Sequence, residues 1–164
     1  MFALGRNFRD GRVSAAISLA LILCASPLAA QKTILTLTGA TITFNAPTAA
    51  DYIAGHIDSP TGVTFTLNAQ TGASRTTTVS IRSISANLGG GKVIGDLQWR
   101  RSDLAAWNSI TLTDGQVEQR IVVRGVLNDP WSNTIFFRML LNWTTDAPAT
   151  YSGNYQITLS QTVP

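Results

Sequence analysis

Histidine is the side chain most often used as a general base near neutral pH, and this chain of 164 residues contains a single one, His56. A hydrolytic triad needs that histidine beside an activated serine and a supporting carboxylate. Asp51 and Asp58 are close in sequence, but no Gly-x-Ser-x-Gly elbow occurs anywhere in the chain. The sequence therefore favours a histidine at a strand edge or in a loop, and a hydrolase is the least favoured function.

Carboxylates are sparse, and most lie in turn-like segments where aspartate bonds to nearby backbone amides. Two of them, Asp96 and Glu118, fall on predicted strands flanked by arginine-bearing strands, which predicts solvated cross-strand ion pairs. No spacing matches a calcium-binding loop, so a calcium site would have to be built from separate loops. The loop carboxylates that such a site would use are Asp51, Asp58 and Asp129. We predict no catalytic pair, no metal and no cofactor.

Tryptophans provide the other candidate chemistry, because an exposed indole offers a flat apolar platform for a sugar ring. Trp99 and Trp143 fall on alternating apolar stripes, which favours core positions for both. Trp107 and Trp131 lie in loop-like segments and are the candidate ligand-binding residues, with packing of loops over the core as the alternative. The glycosylation sequon at 142–144 lies inside a predicted strand, and we interpret it as coincidental.

The first 30 residues have the layout of a secretory signal peptide. Three arginines precede the apolar run Val13–Cys24, and the small residues of Ser26–Ala30 follow it. This run is too short to span a bilayer comfortably, so we predict cleavage before Gln31 and a protein that is secreted, periplasmic or at the cell surface. The segment Leu21–Cys24 partly resembles a lipoprotein box, so lipidation of Cys24 is the alternative.

Composition excludes several functional classes for the processed chain. The leader holds three arginines and one aspartate, so the 12 basic and 9 acidic residues of the whole chain reduce to a net charge of +1. This net charge is too small to predict binding to nucleic acid through a positively charged surface. The single cysteine lies in the leader, which excludes disulfides and histidine–cysteine metal sites. Residues 31–164 suffice for one domain that relies on its hydrophobic core.

Apolar and polar residues alternate repeatedly along residues 31–164, which predicts antiparallel strands that each bury one face. Clusters of Gly, Pro, Asn and Asp separate the alternating runs. One helical turn is predicted at Ser102–Trp107. These features together predict an all-β, single immunoglobulin-like antiparallel β-sandwich of about seven to nine strands. The predicted strands are Thr33–Thr38, Thr41–Asn45, Tyr52–Ile57, Val63–Gln70, Thr76–Arg82, Val93–Arg100, Val117–Leu127, Ile135–Thr144 and Tyr151–Ser160.

The C-terminal segment carries two resemblances. Asp146–Tyr151 is similar to the corner of immunoglobulin-like sandwiches, in which a tyrosine hydroxyl bonds to the backbone at a strand start. Pro148–Leu159 resembles the terminal strand of secreted bacterial spore-coat-U and pilin-like domains, although the cysteines that many pilin-like domains carry are absent from residues 31–164. This resemblance implies assembly into surface appendages or coats and no catalysis, and it transfers no site residues.

The sequence thus predicts an exported, non-enzymatic structural or adhesive protein that assembles with copies of itself or with homologous subunits. The segment Thr33–Phe44 would either pair with a neighbouring subunit's open sheet edge or serve as an ordinary edge strand in its own chain. The alternative function is an extracellular carbohydrate-binding module that uses Trp107 and Trp131 to bind polysaccharide. Neither prediction includes a nucleic-acid partner or a membrane span after processing.

Overall fold

A computed structural model describes residues 33–69, 74–122, 130–146 and 151–163 of the chain. The predicted signal peptide Met1–Ala30, Asp129, and the part of the predicted strand beyond Val122 lie outside these residues. The strands are β1 Thr33–Thr38, β2 His56–Asp58, β3 Val63–Ala69, β4 Arg75–Ser83, β5 Asn87–Gly89, β6 Lys92–Val93, β7 Leu97–Arg101, β8 Asn108–Ser109, β9 Gly115–Val122, β10 Trp131–Leu140 and β11 Tyr155–Thr162. One helix, α1 Ala49–Ala54, and a 3-10 turn at Ile94–Asp96 complete the elements.

The strands form two main antiparallel sheets and one small hairpin. The first sheet has the order β1-β3-β10-β7-β8, and β2 pairs with the C-terminal part of β10. The second sheet has the order β11-β4-β9, and β5 pairs with β6 as a separate hairpin. All of these pairings are antiparallel, which confirms the all-β prediction.

The inward faces of the two sheets share one hydrophobic cluster. Phe65 and Phe137 of the first sheet and Ile81 of the second sheet are at most 1% exposed and belong to the same cluster. Complete burial of such a side chain contributes about 1.5–3 kcal/mol to folding. The apolar residues of the alternating sequence pattern are therefore the ones that these strands bury in the core.

Hydroxyl groups form rows across the outer face of the first sheet. Thr38, Thr64 and Thr134 lie in register on three adjacent strands, and Thr36, Thr66 and Ser132 form the next row. Neighbouring hydroxyls bond to each other, with 2.9 Å between the Oγ1 atoms of Thr64 and Thr134. These two rows are polar and carry no charge.

Two of the predicted local structures are wrong. The predicted strand Tyr52–Ile57 is correct only at its end, where His56 and Ile57 belong to β2. Residues 52–54 are helical, because Thr48 and Asp51 form a reciprocal capping box and Gly55 ends helix α1 at φ 74°. The predicted strand Thr41–Asn45 has no regular secondary structure.

The predicted helical turn at Ser102–Trp107 is also wrong. Residues 102–103 form a turn and residues 104–107 have no regular secondary structure, since the Arg101 guanidinium binds the Asp103 carboxylate and the Leu104 amide donates to the Arg101 carbonyl at 3.1 Å. In the described parts of the chain, we find no helix with the length and apolar character needed to cross a bilayer.

Candidate functional site: an apolar cleft between two sheet edges

An apolar cleft of about 750 Å³ opens between the two sheets. Leu37 of β1 and Ile157 of β11 line it from opposite sheets. Its floor consists of aliphatic side chains from the middle of the fold, namely Ile57, Leu88, Leu97, Met139 and Leu141. We call this feature the cleft.

Strands β1 and β11 border the cleft because each is the last strand of its sheet. Within the part of the chain that the structure describes, each of them pairs with one neighbour only, β1 with β3 and β11 with β4. Their other edges therefore present backbone N–H and C=O groups that can pair with a further strand. The cleft thus combines apolar side chains with two available sheet edges.

The segment 40–47 forms the rim of the cleft. Gly39 adopts φ 73°, which turns the chain away from β1, and Ile42 and Phe44 then pack against the core. The Tyr155 hydroxyl donates to the Ala40 carbonyl, and the Ser59 hydroxyl lies 3.2 Å from the Thr43 carbonyl oxygen. Side-chain hydrogen bonds from two other elements thus attach this segment to the fold.

Tyr155 donates its hydroxyl to backbone at the start of β11, but its acceptor is the Ala40 carbonyl after β1 and not the local corner predicted for Tyr151. The prediction placed a tyrosine hydroxyl against backbone at the start of the last strand, and β11 begins at Tyr155. Burial raises the pKa of Tyr155 above its ordinary value. Tyr151 lies four residues before the strand begins and lines the cleft.

A buried ion pair fixes the side of the cleft where β10 ends. Lys92 Nζ lies 2.7 Å from Asp146 Oδ1 and 2.6 Å from the Leu140 carbonyl oxygen, and the Lys92 and Asp146 side chains are both 4% exposed. The second carboxylate oxygen of Asp146 accepts from the Asn142 amide at 2.8 Å. Burial by itself raises the pKa of Asp146, but the hydrogen bonds from Lys92 and Asn142 outweigh it and the pKa lies below its ordinary value. The pair joins the β5–β6 hairpin to the turn that follows β10.

The lining of the cleft combines apolar side chains with uncharged polar groups. The described residues that line it include no acid, base or thiol, and tyrosines are the only ones that titrate. Hydroxyl and amide groups of Thr41, Thr43, Asn45 and Asn154 lie among the apolar side chains. Such a lining suits a ligand that alternates apolar side chains with backbone polar groups.

His56 lies outside the cleft, in a shallow depression of about 370 Å³ that Asp51 and Asp58 also line. Its Nδ1 is 2.9 Å from the Ala54 carbonyl oxygen. Both carboxylates already have partners: Asp51 accepts from Thr48, which lowers the Asp51 pKa, and Asp58 accepts from Arg138 at 2.7 Å, which lowers the Asp58 pKa. Among the described residues, no three histidine or carboxylate side chains converge as metal ligands.

Trp107 lies on the outer face of the first sheet and is partly buried. The Arg138 guanidinium carbon lies 4.2 Å from the centre of the indole, and that of Arg100 lies 5.0 Å from it. Both arginines alternate with buried residues of their strands, which places them on the outer face. Cation–π contacts therefore occupy this tryptophan.

Trp131 lies at the start of β10 and packs inward, against the small cluster of Leu67 and Val122. The Arg120 guanidinium lies 4.9 Å from its ring. Trp131 lies seven positions before Arg138 in β10, which corresponds to roughly 20 Å, and Arg138 is a residue in contact with Trp107. The structure does not bring Trp107 and Trp131 together on one surface.

The core position of Trp99 is confirmed at 5% exposure, whereas the core position predicted for Trp143 is wrong. Strand β10 ends at Leu140, and Trp143 lies in the following turn with 61% of its surface exposed. Its ring stacks on Tyr52, with 4.2 Å between the ring centres and 26° between the planes. The sequon at 142–144 therefore lies in an exposed turn. We interpreted it as coincidental because a strand was predicted there, and that reason no longer holds.

The two strand carboxylates also differ from prediction. Glu118 is 5% exposed rather than solvated, and it pairs with Arg120 and lies 3.8 Å from Arg101 of the first sheet. It thereby links the two sheets. Asp96 belongs to the 3-10 turn, where its carboxylate accepts from the Val93 amide at 3.1 Å.

Comparison with known proteins gives no assignment: no family model matches the chain, and no curated protein or solved structure is significantly similar to it.

Proposed function

We propose that this protein is an exported, non-enzymatic structural or adhesive subunit that assembles by adding a strand from a neighbouring copy at the cleft. The observation that supports this most directly is the position of the cleft between the available edges of β1 and β11. Donated strands in other proteins use such edges for main-chain hydrogen bonds and such clefts for alternate side chains.

Strand order supports an immunoglobulin-like topology with one position unfilled and one departure, since β9 lies between β7 and β10 in the chain but pairs with β4 in the other sheet. In that fold, strands A-B-E-D form one sheet and G-F-C the other. The order β1-β3-β10-β7 corresponds to A-B-E-D, and the neighbours β11 and β4 correspond to F and C. Strand G would then lie beside β11, on the edge that borders the cleft.

The donor we propose is Thr33–Phe44, because this segment already fits the cleft in its own chain. Leu37, Ile42 and Phe44 line the cleft from within the same molecule. In a neighbouring copy, the donated segment would pair with the open edge of β11, at the vacant strand position, and would place the same apolar side chains against that copy's cleft. Each copy would donate one segment and accept another, so the assembly would extend from copy to copy.

Deletion of residues 31–45 tests the proposal. Sedimentation velocity on the processed chain should show assemblies that the truncated chain fails to form, with circular dichroism showing that the truncated chain retains its strands. A matched pair of variants avoids the deletion: Leu37→Lys introduces a charge on the inward face of β1, and Thr36→Lys introduces the same charge on the outward face. Assembly should be lost only in Leu37→Lys. A truncated chain that assembles like the full one would exclude strand donation.

Carbohydrate binding is the second candidate function, and the observation that favours it is the exposed indole of Trp143 stacked on Tyr52. An aromatic side chain held at the surface in this way is typical of a contact site. Glycan-array binding that survives in a Trp107→Ala/Trp131→Ala double variant would exclude those two tryptophans as the platform.

A further inference from the structure

Tyr52 and Trp143 form a compact aromatic platform at the surface. Tyr52 packs against the core cluster, so one aromatic ring is supported from within the fold. Trp143 stacks on that ring and is still 61% exposed. An indole with this much exposure is unfavourable in water unless something covers it.

The turn that carries Trp143 is held in place by hydrogen bonds on both of its sides. Asn142 Oδ1 accepts from the Thr144 amide at 2.9 Å and from the Thr144 hydroxyl at 2.8 Å. The Asp146 amide donates to the Asn142 carbonyl at 3.1 Å, and the Asp146 carboxylate belongs to the buried pair with Lys92. The indole is therefore presented in one orientation before any ligand arrives, which reduces the entropy cost of binding.

The surroundings of the indole determine which ligand fits. Asn142, Thr144 and Thr145 are exposed beside Trp143 in the sequence and supply amide and hydroxyl groups. The carboxylate nearest in the turn, Asp146, is buried and neutralised by Lys92. On the side of the turn, the described groups that flank the platform are therefore uncharged and able to form hydrogen bonds.

We propose that the Tyr52–Trp143 platform binds the face of a sugar ring in a neutral polysaccharide. The C–H groups on the flat face of a pyranose carry partial positive charge, which matches the negative face of an indole. The hydroxyl groups at the edge of the sugar would bond to the amide and hydroxyl groups of the turn. A glucan or chitin chain with equatorial substituents presents such a face at each residue, whereas residues 142–146 of the turn offer an acidic polymer no exposed cation.

This inference rests on the adhesive part of the proposed function and is independent of strand addition. The experiment is a pull-down of the processed chain on insoluble cellulose and chitin, followed by fluorescence titration with soluble oligosaccharides of the polymer that binds. Trp143→Ala should weaken binding about tenfold or more, as expected for the loss of an aromatic stacking partner. Tyr52→Phe keeps the ring and should bind like the original protein.

Trp107→Ala is the matched control, since it removes an indole that two arginines already occupy. Trp107→Ala should bind sugar normally. Trp143→Ala should assemble like the original protein in sedimentation velocity, because sugar binding and strand addition use different surfaces. Leu37→Lys should show the converse, with normal sugar binding and no assembly. The inference is overturned if neither polymer binds the original protein, or if Trp143→Ala binds as tightly as the original.

Discussion

Lys92 and Asp146 form an ion pair in which both side chains are 96% withdrawn from solvent, with 2.7 Å between Nζ and Oδ1. Lys92 belongs to the β5–β6 hairpin, and Asp146 belongs to the turn after β10. Neither residue is near the other in sequence, so the contact exists only in the folded chain. It fixes both the side of the cleft and the turn that carries Trp143.

Removing one partner of this pair should strongly destabilise the fold. Lys92→Met leaves a buried carboxylate without its cation, and we expect a loss of about 3–5 kcal/mol in the free energy of unfolding. Urea denaturation measures it. The double variant Lys92→Met/Asp146→Leu should recover much of the loss, because no buried charge remains. The exposed pair Arg82–Asp114 is the control, and Asp114→Asn should cost no more than about 1 kcal/mol.

Acid should weaken the fold through Asp146. Its pKa in the folded protein lies below the value of about 3.9 that aspartate has in an unfolded chain. The unfolded chain therefore binds more protons in this range, so the contribution is complete above about pH 5 and is lost progressively as the pH falls through the unfolded and then the folded pKa. Urea midpoints at pH 7, 4 and 3 should decrease in that order, and Asp146→Asn should show a smaller decrease. An equal decrease in both proteins would contradict this assignment.

Gly62 should not tolerate a side chain, for reasons of space. A Cβ atom there would lie 2.5 Å from Thr134 Cγ2 and 2.8 Å from the Ile135 carbonyl oxygen. The second contact is with backbone, which cannot move without disturbing the pairing of β3 with β10. We expect Gly62→Ala to cost about 1–3 kcal/mol in thermal or urea unfolding. Gly95→Ala is the control, since no atom lies within 4 Å of its Cβ position, and it should change stability by less than about 0.5 kcal/mol.

Tyr155→Phe should loosen the rim of the cleft. The substitution removes the hydroxyl that donates to the Ala40 carbonyl and keeps the ring that packs near Phe137. We expect a loss of about 0.5–1.5 kcal/mol and faster amide hydrogen exchange in segment 40–47. Exchange measured by mass spectrometry should be unchanged in β4 and β9. Uniformly faster exchange throughout the chain would indicate general destabilisation instead.

Strands that contribute to the core were the most predictable part of the fold. Alternation located β3, β4 and β11 to within a few residues, because burial of one face requires a period of two. The same signal failed at Trp143, where the alternating pattern continues past Leu140 although the strand has ended. The strand is ended by the hydrogen bonds of Asn142 with Thr144 and Asp146. The one sequence feature that indicated this end was Asn142 itself, since asparagine is favoured in turns.

The short helix α1 was missed for a different reason. Six residues are too few to show a helical period, so the aromatic and β-branched residues Tyr52 and Ile53 indicated a strand. The local signal was the pair Thr48 and Asp51, which has capping-box spacing with aspartate as the acidic partner, followed by Gly55. The cleft could not be predicted at all, because it depends on which strands end each sheet. That order is determined by long-range pairing, which a single sequence does not display.

The rows of hydroxyl groups on the outer face of β1, β3 and β10 have a consequence for behaviour in solution. Threonines and a serine occupy these positions instead of lysines and glutamates, and Thr66 donates to Ser132 at 3.3 Å across the strands. Dissolved ions have no charge to screen within these rows, so contacts made through them should change little with salt, whereas the Arg138–Asp58 pair farther along the same face of β10 is open to screening.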